Sequence, residues 1–351
     1  MTGTGVSARA APPGDLPQLD LLPALPAAAP TLAPLDRRAR GTEFLALPVR
    51  SVLNSAVATG MGFWSLNPYV GCEFGCTYCY ARDTHRYVFE RMGQSADQLD
   101  FERRILVKPE VADALARTLD PARLAGAPLV IGTATDPYQP AERRFRLTRR
   151  VLEALLGWRG LSLGLITKSP LVTRDIDVLQ RLAERHELSV SISLATLDAR
   201  LARRLELRSP VPAARIRALA RLGRAGINAG LLVAPIIPCV TDGREALDAL
   251  FRAAREAGAR FVVGTALRLG PAARRRFLPH LASEFPSLAE RYERHYAGRQ
   301  SVDRAYREAL SRRLRTLRRK YGFSSDERFR PAGAAAAAGG ADAPDAQPLL
   351  L

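Results

Sequence analysis

Three cysteines fall within eight residues, Cys72-Glu73-Phe74-Gly75-Cys76-Thr77-Tyr78-Cys79, at a Cys-x3-Cys-x2-Cys spacing, and Cys239 is the only other cysteine in the chain. Three thiolates on one short loop can each take one iron of a 4Fe–4S cluster. The fourth iron then has no protein ligand, and an open coordination position on a metal is a place for chemistry. Gly71 and Gly75 permit the unusual backbone angles that turn several thiolates inward. Two other readings stay open at this point. One is a Cys3His zinc site with His85 as the fourth ligand, although structural zinc sites prefer two separate Cys pairs and here the two gaps share Cys76. The other is a set of inert buried cysteines, against which their density argues.

Such a loop needs elements to hold it. Apolar, β-branched runs predict strands at 63–66, 129–133, 161–167, 188–194, 227–233 and 261–267, and helical spacing falls between them at 142–156, 175–186, 198–205, 213–222, 244–257 and 271–285. Strand starts recur about every 30 residues, the size of a βα unit. The strands are continuous rather than alternating runs, as in parallel sheets covered by helices. The fold class predicted is therefore α/β, a partial (β/α)6 TIM-like barrel with parallel strands, followed by C-terminal helices and flanked by disordered termini. Residues 1–41 read as a disordered Ala/Pro-rich lead-in, 42–270 as the barrel, 271–330 as a basic helical extension and 331–351 as a disordered Ala/Gly-rich tail. In such barrels chemistry sits at the carboxyl ends of the strands, so the polar residues just past each strand matter most.

The 351 residues are 47% hydrophobic, enough for a sizeable core, with no apolar run long enough to span a membrane. No signal peptide is evident, and four cysteines, three of them crowded, do not form a disulfide framework. A cytoplasmic protein with no membrane partner is expected. The net charge of +17 comes from 49 Arg and only three Lys, a skew that a GC-rich genome explains as well as a basic surface does. The densest basic run, 312–320, lies in a predicted helix over 301–320. It makes nucleic acid a candidate partner, although it lacks interleaved aromatics and a solvated helix face explains it as well.

The Cys72, Cys76, Cys79 spacing with Tyr78 before the last cysteine resembles the radical S-adenosylmethionine superfamily. Asn67-Pro68-Tyr69, Tyr80-Ala81-Arg82 and Gly132-Thr133-Ala134-Thr135-Asp136-Pro137-Tyr138-Gln139-Pro140 resemble its spore photoproduct lyase-like branch, from about residue 53 to 269. The resemblance implies a lyase-like enzyme of unidentified substrate whose 4Fe–4S cluster reductively cleaves S-adenosylmethionine to a 5′-deoxyadenosyl radical that abstracts hydrogen. It also implies an external electron donor of flavodoxin or ferredoxin type. It casts Cys72, Cys76 and Cys79 as cluster ligands and Tyr78 as the neighbour of the adenine. Asp136, beside Thr135, would accept from the methionine ammonium, with Glu142 as its competitor. Lys168 would contact the methionine carboxylate, and Ser193, which shares a strand face with Ser191, the ribose. The hydrogen-donor cysteine of spore photoproduct lyase has no counterpart in Gly132-Thr133-Ala134, which leaves Cys239 as a weak catalytic candidate. The alternative is a nucleic-acid-binding protein whose cluster is structural or redox-sensing, with His85 as the fourth ligand.

Overall fold

Six strands run parallel and in chain order across one sheet: β1 (Trp64–Leu66), β2 (Leu129–Ile131), β3 (Ser162–Thr167), β4 (Glu187–Ser193), β5 (Ala229–Ile236) and β6 (Val262–Ala266). The computed structural model describes residues 32–323 apart from 39, 40, 60, 61 and 98. Residues 1–31 and 331–351, expected to be disordered, lie outside them. Leu53–Asn54 adds an antiparallel edge beside β1. The order β6-β5-β4-β3-β2-β1 is that of an open, six-unit barrel.

Neighbouring residues within a strand enter different cores, because side chains alternate across a sheet. Leu129, Ile131, Leu165, Leu231 and Val233 pack in the layer under the helices. Val130, Ile166, Leu232 and Ala234 form a small cluster on the opposite face. Both faces are thus apolar and buried, which explains the continuous character of the runs. The inner cluster is the floor of the site.

The outer helices fall close to their expected places, with three differences. The helix predicted over 142–156 is two, Glu142–Phe145 and Leu147–Leu155, broken at Arg146, which takes φ +53°. The buried Glu142 carboxylate accepts from Thr148 N (3.0 Å) and Arg149 N (3.3 Å), and so caps the second helix. The helix expected over 175–186 is the shorter Ile176–Ala183, entered from a 3-10 turn, Pro170–Asp175. The last helix starts at Arg304, capped by Asp303 (2.7 Å to Tyr306 N), and ends at Tyr321 before Gly322 at φ +68°.

A second, four-stranded sheet was not expected. It is built from Pro34–Arg37, Glu43–Ala46, Arg104–Val107 and Tyr69–Val70, so part of the stretch read as a lead-in is a strand. Its last strand feeds directly into the cysteine loop. Among the described residues no helix is long and apolar enough to cross a membrane.

Candidate functional site

The cysteine loop is fastened along its whole length. At its start, Gly71 takes φ +85°, and a Cβ there would come 2.9 Å from the Phe101 carbonyl oxygen. Its own carbonyl accepts from Thr135 Oγ1 (2.6 Å) and Gln139 Nε2 (3.1 Å). Glu73 N donates to Gln139 Oε1 (3.0 Å), and its carboxylate accepts from Ala141 N (2.7 Å) and meets Arg38 (2.8 Å). The first half of the loop is thereby stapled to the segment after β2. Beneath it, Asn67 accepts from Ala134 N (2.9 Å) and donates to Thr133 Oγ1 (3.2 Å). Buried Lys108 donates to the Asn67 carbonyl (2.8 Å), and burial pushes its pKa down to about 8.

The second half of the loop leans on a segment far along the chain. Thr77 donates from both N and Oγ1 to the Leu205 carbonyl (3.0 Å each), and Arg208 N donates to the Phe74 carbonyl (3.0 Å). The Tyr78 hydroxyl donates to Glu206, and that of Tyr80 to the Thr133 carbonyl. Arg82 crosses the Phe101 ring, donates to the Cys76 carbonyl (2.9 Å) and pairs with Glu102 (2.5 Å).

All three thiols line one cavity, with about 940 Å³ of empty space, its open mouth included. Its rim is made of strand-end residues: Thr133–Asp136 after β2, Lys168 after β3, Ser193 on β4, Pro235 on β5 and Arg268 after β6. Phe74, Phe101, Ile166, Leu232 and Ala234 supply apolar wall. Among the described residues no three His, Cys, Asp or Glu side chains converge as ligands of one metal ion. A cluster does not ask for that, since each thiolate takes a different iron. Burial pushes all three thiols up in pKa, and Asp136 adds to this at Cys72 as Glu206 does at Cys76. Positive iron held there would reverse that balance and favour the thiolates. The soft, three-thiol donor set fits an iron–sulfur cluster.

Lys168 reaches into this cavity from a buried polar network. Its Nζ donates to Ser193 Oγ (2.9 Å), lies 3.2 Å from Glu206 Oε1 and sits 5.7 Å from the centre of the Tyr78 ring. Glu206 also accepts from Ser209 Oγ (2.7 Å) and from the fully buried Arg215. Arg215 donates in addition to the Ser193 carbonyl (3.0 Å) and the Pro210 carbonyl (2.9 Å). Burial alone would raise Glu206, but Lys168 and Arg215 hold it well below the usual carboxylate range. Two cations against one carboxylate leave the network one positive charge in excess, beside the cavity.

Asp136 lines the cavity too, but its carboxylate is already engaged. It accepts from Tyr138 N (2.9 Å), Thr167 Oγ1 (2.6 Å) and Lys168 N (2.7 Å), tying the end of β2 to the end of β3. Burial nonetheless raises its pKa.

Four sequence candidates fall elsewhere. Glu142 is fully buried away from the cavity, held by Tyr69 (2.5 Å) and Arg174 (2.9 Å), so it organises the helix break. Ser191 is buried on β4 and does not line the cavity. His85 points away, with Nε2 3.2 Å from the Arg104 carbonyl and its ring against Phe89 and Phe101. Burial pushes its pKa down to about 4, and it does not line the cavity shared by the three thiols. Cys239 is exposed, outside the cavity, at φ +60°, a left-handed geometry that favours glycine.

Sequence reasoning missed Glu206 and Arg215, and it gave Asn67 and Gln139, quoted among the residues that carry the resemblance, no role of their own. Arg215 carried a signal. It stands three, four and seven residues before Ala218, Leu219 and Leu222, on the buried stripe of helix Pro212–Arg224, where a cation demands a buried partner.

The Radical SAM superfamily model matches residues 66–253. An uncharacterised protein of Mycobacterium tuberculosis is 34% identical over 83% of this chain and 84% of its own. An uncharacterised protein of Methanocaldococcus jannaschii is 27% identical over 57% of this chain and 70% of its own. In fold the chain is similar to spore photoproduct lyase complexed with dinucleoside spore photoproduct (TM-score 0.58, 15% identity, 79% of each chain). It is also similar to a mutant of that lyase with bound AdoMet and dinucleoside spore photoproduct (TM-score 0.57, 16% identity, 74% of each chain). The chain belongs to the radical S-adenosylmethionine superfamily. It is accordingly an enzyme that uses a 4Fe–4S cluster and S-adenosylmethionine and draws on an external electron donor.

Proposed function

We propose that Cys72, Cys76 and Cys79 hold the cluster, and that Tyr78, Lys168 and Ser193 face S-adenosylmethionine bound to its open iron, for hydrogen abstraction from a substrate. The observation that carries this reading is the single cavity lined by all three thiols and by the carboxyl ends of β2 to β6. Bound together, the cluster and S-adenosylmethionine supply one-electron chemistry, reductive cleavage of the S–C5′ bond followed by hydrogen abstraction. The residues supply position. The Lys168 ammonium, fixed by Ser193 and Glu206, suits the methionine carboxylate because the network around it retains a positive charge. The Tyr78 hydroxyl is taken by Glu206, which leaves its ring face as the surface a base would meet. Asp136 holds two strand ends in register, and a carboxylate with about four acceptor sites keeps one for an ammonium. The apolar wall excludes water from a reactive intermediate.

Anaerobic reconstitution should give a brown protein with about four irons per chain. Dithionite and S-adenosylmethionine should then release 5′-deoxyadenosine. Serine at Cys72, Cys76 or Cys79 should abolish both, because a thiolate ligand is lost. Stoichiometric zinc without iron in anaerobically purified protein would sink the reading. The basic C-terminal helix lends the nucleic-acid alternative little. Arg313 donates to the Asp242 carbonyl (2.7 Å), Arg318 to the Val262 carbonyl (3.0 Å), and Lys320 pairs with Asp248, all within the chain.

A further inference from the structure

The cysteine loop has two sides. One lines the cavity, and the other is covered by a group of guanidinium side chains that the site chemistry does not use. Gly75 has no side chain and takes φ +65°, and the guanidinium of exposed Arg208 lies over it. An ideal Cβ at Gly75 would stand 3.4 Å from Arg208 Nε and 3.5 Å from Glu102 Cγ. Arg82 sits behind the Cys76 carbonyl (2.9 Å) and Arg38 beside Glu73 (2.8 Å). Arg276, from helix Pro271–Glu284, lies in the field of Glu102, Arg82 and Arg208, and its buried Nε has no hydrogen-bond partner among the described residues. Glu73 pairs with Arg38 and buried Glu102 with buried Arg82, so within this set Arg208 and Arg276 are the positive charges in excess. At buried Gly75 the cover over the loop is the exposed Arg208 guanidinium together with the side chain of Glu102.

We propose that this arginine-covered outer face of the cysteine loop, centred on Arg208 over Gly75, is the docking surface for an acidic one-electron donor protein. The inference rests on the reading of Cys72, Cys76 and Cys79 as cluster ligands. Electron tunnelling falls steeply with distance, so a donor must dock where little protein covers the cluster, and Gly75, between two ligands, adds no side chain of its own to that cover. Complementary charge steers association and orients a transient complex. The transfer is simple in balance: one electron leaves the reduced donor, which is oxidised, and enters the cluster, with no bond made or broken. An arginine face outside the cavity does nothing for the bound S-adenosylmethionine, and this separates the two sides of the loop.

The test drives 5′-deoxyadenosine release from the reconstituted protein with two reductants, reduced flavodoxin and photoreduced neutral deazaflavin. In Arg208→Glu, and independently in Arg276→Gln, the flavodoxin-driven rate at low salt should fall, about tenfold in the charge reversal, and its dependence on ionic strength should flatten. The deazaflavin-driven rate and the iron content should match the unaltered protein. Equal losses with both reductants would overturn the proposal, since the arginines would then merely support the loop. So would unchanged flavodoxin rates, or a loss confined to oligonucleotide binding measured by fluorescence anisotropy. Failure of the unaltered protein to release 5′-deoxyadenosine with deazaflavin would overturn the cluster reading, and this inference with it.

Discussion

Glu206 is where the charge balance of the site is decided. It is buried between two cations, Lys168 and Arg215, and also receives the hydroxyls of Tyr78 and Ser209. Removing one partner of a buried ion pair strands the others. Glu206→Gln should therefore cost about 3–5 kcal/mol in urea unfolding of anaerobically purified protein. A loss below about 1 kcal/mol would show that the network relaxes into solvent. Lys168 tests the opposite sense. In Lys168→Met, Glu206 keeps Arg215, so the loop and its iron should persist. One charge-assisted contact of about 1.5–3 kcal/mol should be lost, which raises the KM for S-adenosylmethionine roughly 10- to 150-fold. A drop in iron content instead would mean that Lys168 braces the loop rather than the cofactor. Lys168 was legible because it is a rare lysine placed just past a strand. Glu206 was not, because it lies past a helix end, and its partner Tyr78 is 128 positions earlier.

At the scale of elements, the turn after β2 carries the constraint. Gly132 takes φ +89°, and a Cβ there would meet the Ile166 carbonyl oxygen and Pro137 Cδ, each at 2.5 Å. Gly132→Ala thus combines a strained backbone with a clash against backbone, and should lower stability by at least about 2 kcal/mol. It should also lower iron content, because Thr135 and Gln139, which hold Gly71, follow directly. A thermal melt and an iron assay on one preparation check both. The barrel strands themselves were readable, since two-sided burial writes continuous apolar runs. The smaller sheet was not. Its strands are two to four residues long, and Pro34–Arg37 is largely exposed, too short and too polar for any period to show. The break at Arg146 was also invisible, because helical spacing continues across it while Glu142 caps from the side.

For the whole molecule, the open sheet must be covered at β6, and helix Arg304–Tyr321 does this with Leu310, Leu314 and Leu317, Leu314 standing over Gly264. Leu314→Ala should cost about 2–5 kcal/mol in chemical denaturation. An unchanged midpoint would show the helix to be an ornament on the barrel. The basic composition was legible and its meaning was not, because charge counts do not say which cations fold back on their own chain. The long reach from Tyr78 to Glu206 has a consequence in time. A ribosome adding about 5–20 residues per second makes the cysteine loop on the order of ten seconds before it makes Glu206. Through that interval the loop lacks the later strand ends that line its cavity and the buried carboxylate that takes the Tyr78 hydroxyl. With Cys72, Cys76 and Cys79 as the proposed ligands, metal delivery should therefore follow synthesis of the barrel and act on a chain already folded around its three thiols.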